Sequence, residues 1–219
     1  ASDQDMIGFS STSTSSTMVP TRGKKPFLGT NAITFSFPCE GEGPVCLDMA
    51  TTQIAWNWVL KAKAEGKKLD SSWAINNEGL PTDDPNKAIG LLPAGLHKGY
   101  GLGLVVEILC NILANQPYGK NVSDMFDGDL SNKRYLSHFV GAIKISNFID
   151  IKLFKALLKN MITELRKEPP IDTGMPILVA GDPEKISEKK RLKSGIPIEG
   201  VIVDEINQII DQQGLKEKL

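Results

Sequence analysis

The sequence has no glycine-x-glycine-x-x-glycine turn. Its densest glycine run, Gly99-x-Gly101-x-Gly103, has a different order and follows no convincing strand, so an ordinary Rossmann fingerprint is absent. Cysteine is scarce. Cys39, Cys46 and Cys110 make an odd count with no C-x-x-C pair and no Cys/His ligand spacing, which excludes a disulfide framework and a structural zinc site and fits a reducing cytoplasm. Lys and Arg number 25 against 26 Asp and Glu, and no basic block accompanies aromatics, so nothing marks a nucleic-acid partner. No run of about 18 uncharged apolar residues occurs, because Glu107 and Asn111 interrupt the longest one. The opening "ASDQDMIGFSS" also lacks the basic and apolar regions of a secretory signal. The expectation is a chain without a membrane partner. Only His97 and His138 represent histidine, and no G-x-S-x-G elbow lies near either, so a hydrolase built on His138 and a serine has little to rest on.

What is present is an ordinary globular composition, 219 residues with 41% hydrophobic and 23% charged, enough to bury a core. Strands are predicted at 6–13, at Ile33–Pro38, at "VCLDMA" ending on Asp48, and at Ser137–Ile145. The first of these begins almost at once, as it would in a natural start or in a fragment. "STSTSSTMVPTRGKKP" reads either as a low-complexity linker or as an ordered polar loop. Helical spacing runs from Ile54 to a C-cap glycine at Gly66, over Leu102–Leu113, and over Ile151–Arg166 with Leu153, Leu157, Ile162 and Leu165 on the buried face. "SSWAINNEGLPTDDP" predicts a short ribbon turning at Asn77–Gly79, and "PILVAGDPE" a strand running into a loop. "ISEKKRLKSG" and "VIVDEINQIID" read as helices. Trp56 and Trp58 fall on opposite sides of one helix, and "DMFDGDL" reads as a solvated acidic turn, not a calcium loop. Strands mixed with helices indicate an α/β or α+β fold.

"LLPAGLHKGYGLGLVVEILCNILANQP" is the most unusual stretch. Each glycine costs a helix about 1 kcal/mol against alanine, and His97 and Lys98 sit where the helix dipole repels cations. Free N–H groups with an adjacent cation favour an anion such as phosphate or carboxylate. Close helix packing is the other explanation for Gly99 and Gly103, one turn apart. Asp48 is similarly open to two readings, a ribose-binding carboxylate at a strand end or a plain helix N-cap.

Taken in order, "GTNAITFSFP", "LDMATTQIAW", "SWAINNEGLPTDDP", "LLPAGLHKGYGLGLVVEIL" and "SHFVGAIKI", followed by "LRKEPP", "VAGDPE" and "KSGIPI", resemble the malate/L-lactate dehydrogenase-like family of NAD(P)-dependent oxidoreductases. Sulfolactate and ureidoglycolate dehydrogenases and diketogulonate reductases belong to it. The resemblance implies a non-Rossmann nucleotide-binding domain with a mixed, largely antiparallel sheet flanked by helices, in a homodimer. It implies NAD or NADP as cofactor, with contacts from Thr14, from Asp48, Met49 and Ala50, from His97 and Lys98, and from Gly181, Asp182 and Pro183. It reads the chain as a cofactor-binding domain over 1–150 and a C-terminal segment over 151–219 that completes it.

The family carries a further N-terminal region with its catalytic histidine and its substrate-binding Arg and His, and nothing here aligns with it. No catalytic residue is therefore assigned, no metal is implied, and the helices from about 186 are expected to pack on that region. The reaction implied is hydride transfer between the nicotinamide and a 2-hydroxy or 2-oxo acid of the malate, lactate, sulfolactate or ureidoglycolate type. "DMATTQIAW" and "PYGKNVSDMFD" lean towards ureidoglycolate. The rival reading is a non-catalytic nucleotide-binding or assembly protein of the same descent.

Overall fold

Side-chain alternation builds seven strands in the computed structural model, which describes residues 1–124, 133–198 and 200–215. They are β1 (Met6–Thr12), β2 (Ala32–Phe37), β3 (Val45–Met49), β4 (Ala74–Ile75), β5 (Pro81–Thr82), β6 (Gly90–Leu91) and β7 (His138–Lys144). One sheet has the order β3-β2-β1-β7 and the other β5-β4-β6, and every strand pair in both is antiparallel. A parallel bridge, Met18 to Leu91, joins the polar loop to β6.

Register sorts the larger sheet into two faces. Phe9 lies opposite Phe35 and Gly141, and Ser11 opposite Ile33 and Phe139, so the aromatic side chains share one face. Phe9 stacks near Phe35 and Phe139 with ring centroids 6.2 and 5.6 Å apart. A Cβ at Gly141 would collide with the Phe9 ring, which explains the glycine in β7. The other face is polar, with Thr12 3.1 Å from His138 Nδ1 and Thr34 donating to Asp48.

Helix α1 (Trp56–Ala64) ends as its glycine predicts. Gly66, at φ 63°, donates to Lys63 O, and Lys67 N–H donates back to Ala62 O, completing a Schellman turn. Val59 packs with Leu69, Ala74 and Leu91, while Trp56 and Trp73 lean on that cluster and Trp58 faces outward. Fully burying a side chain of the Val or Leu kind contributes about 1.5–3 kcal/mol. The ribbon turn is also as expected: Gly79, at φ 81°, donates to Asn76 O.

Helix α2 (His97–Glu107) begins ahead of the predicted Leu102 and runs into a π-helical turn at Ile108–Ile112. It rests on the aromatic face of the sheet, where Cys110 Sγ lies 3.4 Å from Ser11 Oγ. Helix α3 (Ile151–Leu165) starts at an Asp150 cap that accepts from Lys152 and Leu153 N–H groups. Its buried face is not the predicted one. Ile162 is buried, but Leu153, Leu157 and Leu165 are exposed, because no element among the described residues covers that stripe. The predicted strand at "PILVA" is also absent. The segment stays irregular, and Cys46 N–H of β3 donates to its Ala180 O. Most of "DMFDGDL" lies outside the described residues.

The chain forms two compact units, Ala1–Ala180 and Gly181–Leu219, so α3 belongs with the first. Glu42, in the β2–β3 loop, explains why α3 stays there: it accepts from Lys159 Nζ at 2.7 Å and from both terminal nitrogens of Arg166 at 3.0 and 3.2 Å. The second unit holds α4 (Asp182–Ser194) and α5 (Gly200–Gln212).

The Arg166 bonds, and after them the Lys159 bond, hold Glu42 at about 2, well below the ordinary carboxyl value of 4.5. A depressed carboxyl stabilises the fold fully above its unfolded value and loses that contribution as pH falls towards the folded one. Denaturant midpoints measured between pH 6 and pH 2 should therefore fall, most steeply below about 4.5, and Glu42→Gln should flatten that acid limb. An unchanged acid limb in the variant would remove the tie from the account.

Candidate functional site

A chain of threonines joins the segments predicted to contact a cofactor in the first unit. Thr14 Oγ1 accepts from Thr30 N–H at 2.9 Å. The Thr30 carbonyl accepts both the N–H and the hydroxyl of Thr51, at 2.8 and 2.9 Å. The Thr51 carbonyl accepts from Ala94 N–H at 2.9 Å. The polar loop, the Gly29-Thr30-Asn31 turn, the end of β3 and the start of α2 are thus one hydrogen-bonded assembly. The polar loop is ordered, not a linker. Gly29 is required there, since a Cβ would strike the carbonyl and hydroxyl of Thr14.

Beneath this assembly lies a polar network built on Glu107 and Asn111, the residues that interrupt the apolar run. Glu107, 3% exposed, accepts from Asn31 Nδ2 at 2.7 Å, Asn111 Nδ2 at 2.9 Å and Gly119 N–H at 2.7 Å. Asn111 Oδ1 accepts from Ser13 at 2.7 Å, and Asn31 Nδ2 also reaches Gly103 O at 2.9 Å. All three partners of Glu107 donate, so a carboxylate with two accepting oxygens satisfies them. The readable signal was the charge itself, set inside the most apolar helix of the chain.

The glycines of α2 now separate. A Cβ at Gly99 would strike Thr51 O and Ala94, and one at Gly103 would strike Met18, so close packing accounts for both. Gly101 faces open space. Gly95 and Leu96 enter the helix with φ 57° and 58°, and no side chain caps it. The His97 N–H has no protein acceptor, and the Lys98 ammonium no carboxylate partner, among the described residues. Both residues are exposed and lie inside the first turn, not before it. An unsatisfied N–H, a dipole end and a cation together suit an anion.

Asp48 is not a helix cap, because α1 begins only at Trp56. Its Oδ1 accepts from Thr34 at 2.9 Å on the polar face of the sheet, opposite the face that carries α2. Met49 and Ala50 continue from it to Thr51. The Thr14 hydroxyl is engaged with Thr30, whereas Ser16 Oγ and Thr17 Oγ1 in the same loop are buried without a partner. Gly181, at φ 92°, caps α4, with Asp182 and Pro183 in its first turn. They belong to the second unit. Asp182 and Glu184 complement that helix start, which therefore suits hydroxyls better than phosphate. Among the described residues no group of three metal-ligating side chains exists, and no helix is long and apolar enough to cross a membrane. The free N–H, the dipole end and the cation at the start of α2 fit the phosphate of a dinucleotide, and Asp48 stands at the end of β3 on the other face of the sheet.

Two sets of substitutions test this geometry. Glu107→Gln turns one acceptor towards a donor and should cost roughly 1–3 kcal/mol in denaturant unfolding. Gly101→Ala should stabilise by up to about 1 kcal/mol, while Gly99→Ala and Gly103→Ala should destabilise. Equal effects at all three glycines would contradict the packing described.

A family model described as malate/L-lactate dehydrogenase matches residues 1–207. A malate/(S)-sulfolactate dehydrogenase of Methanothermus fervidus is 34% identical over 218 residues, covering 99% of this chain and 62% of the relative. An NAD(+) ureidoglycolate dehydrogenase of Escherichia coli is 34% identical over 209 residues, covering 95% and 58%. The crystal structure of a malate dehydrogenase from Entamoeba histolytica superposes with a TM-score of 0.89 at 28% identity, covering 100% of this chain and 64% of that one. The chain thus spans about three fifths of the length of the proteins it matches.

Proposed function

The chain belongs to the malate/L-lactate dehydrogenase family, and from that premise we propose that it supplies the dinucleotide-binding part of an oxidoreductase, using NAD or NADP and acting on a small 2-hydroxy or 2-oxo acid as a homodimer. The observation that carries this reading is the start of α2, where, among the described residues, the His97 N–H has no acceptor, Lys98 no carboxylate partner and Gly101 open space. When bound, the nicotinamide supplies or takes up the hydride exchanged with the carbinol carbon of the acid.

The chain's own residues bind and orient. Lys98 and the His97 N–H hold phosphate, Gly101 leaves room for its approach, and Asp48 offers its second carboxylate oxygen to a ribose hydroxyl. Thr14 acts through Thr30, whose carbonyl holds Thr51 just beyond the strand end. In the second unit, taken by itself, Gly181, Asp182 and Pro183 form a helix start suited to a hydroxyl. None of these residues is assigned the proton transfer. Apolar side chains left exposed on the second unit, Ile186, Leu192 and Ile209, suit packing against the additional region the relatives carry.

Calorimetric titration of the chain with NADH and NADPH tests the reading. One of the two should bind, and Lys98→Ala should weaken it by about 1.5–3 kcal/mol, roughly tenfold to a hundredfold. Unaltered affinity in the variant would take Lys98 out of the site, and binding of neither nucleotide would count against the proposal as a whole.

A further inference from the structure

Helix α3 is held to the first unit by its polar side. Lys155 pairs with Asp5, and Lys159 and Arg166 pair with Glu42, while Ile162 is buried between them and the body. The apolar side faces out: Leu153, Leu157, Met161 and Leu165 are 50%, 52%, 56% and 39% exposed. They recur every four residues, so they form one unbroken ridge along the helix, the kind through which packed helices interlock. The ridge is shaped for another helix.

The charges at its two ends say which helix. Lys152 stands in the first turn of α3 and Glu164 in the last, both exposed and neither with a charged partner among the described residues. Each sits at the end where the helix dipole disfavours its charge. They are about 18 Å apart along the axis and cannot reach each other. A second α3 laid antiparallel along the ridge resolves both conflicts, because Lys152 of each copy then lies at the carboxyl-terminal end of the other, beside its Glu164. In that register Leu157 of each copy meets Met161 of the other, and Leu153 meets Leu165. Asn160, exposed near the midpoint, meets its own counterpart, and an amide both donates and accepts. The ridge with these three polar residues exposes on the order of 500 Å² per copy, about 1,000 Å² for the pair, the lower limit of a specific interface.

We propose that α3 is the contact between two copies of this chain, packed antiparallel across a two-fold axis, with their apolar ridges interlocked and Lys152 of each paired with Glu164 of the other. The inference rests on the homodimer proposed above and names its surface; it does not depend on the cofactor. Asp5 and Glu42 then have a second role, since by gripping the polar side of α3 they leave its apolar side free for the second copy.

The test is sedimentation equilibrium of the 219-residue chain at low salt over a wide range of concentration. The unaltered chain should exchange between monomer and dimer. Lys152→Glu and Glu164→Lys each place like charges at both ends of the contact and should each raise the dissociation constant about tenfold or more. Both variants suit the helix dipole better than the residues they replace, so each should melt at the same or a higher temperature while associating more weakly. Mixed in equal amounts, the two variants regain opposite charges at both ends and should form a one-to-one heterodimer of about the original strength. A dimer equally strong in both single variants, or variants that stay monomeric when mixed, would overturn the α3 contact and leave the homodimer standing on some other surface. An unaltered chain that is monomeric at every concentration would reject the homodimer and this contact together.

Discussion

A carboxylate placed inside an apolar helix governs how this molecule is assembled. Burying a charge is unfavourable unless fixed dipoles replace the lost water, and Glu107 meets that condition only if the Asn31 turn, the Gly119 backbone and the next helical turn all stand in the right place. Apolar contacts tolerate sliding; a carboxylate with three donors does not. The network therefore sets the height of α2 on the sheet, and through Asn31 and Gly103 it sets where the turn that precedes β2 meets the helix. Everything near the helix start inherits that position.

From there the order propagates through backbone more than through side chains. Thr30 accepts twice from Thr51, and Thr51 accepts from Ala94, so the loop entering α2 is held by main-chain groups that a substitution cannot easily remove. This arrangement leaves the exposed side chains of the first turn uncommitted. Two helix starts then divide the chemistry: α2 has no acid in its first turn and a cation, while α4 has Asp182 and Glu184. The same backbone dipole is free in one and already complemented in the other.

Much of the fold was legible because its signals were local. Alternation located β1, β2, β3 and β7, and Gly66 marked the end of α1 through the left-handed turn that glycine permits. The failures were of one kind. Three glycines argued against helix at 97–103, but Gly99 and Gly103 are there so that α2 can touch Thr51 and Met18, a contact between distant segments that overrides propensity. The apolar run before Ala180 suggested a strand, yet apolar residues do not supply a ladder partner, and the segment stays irregular. The stripe on α3 read as buried because periodicity reports amphipathicity, not what covers it. Of the candidate residues, Lys98 and Asp48 stood out by charge and position, while Thr30, Thr51 and Asn31 are ordinary polar residues whose importance lies in their partners.

The contact between Cys110 and Ser11 has a consequence for kinetics. The thiol is fully buried at the seam where α2 rests on β1, and it is held there by the hydroxyl and carbonyl of Ser11. A reagent in solvent can reach that sulfur only while the helix is lifted from the strand. The pace of its chemical modification is thus a clock for that opening, one that runs on local separation of two elements and is independent of whether the rest of the chain has come apart.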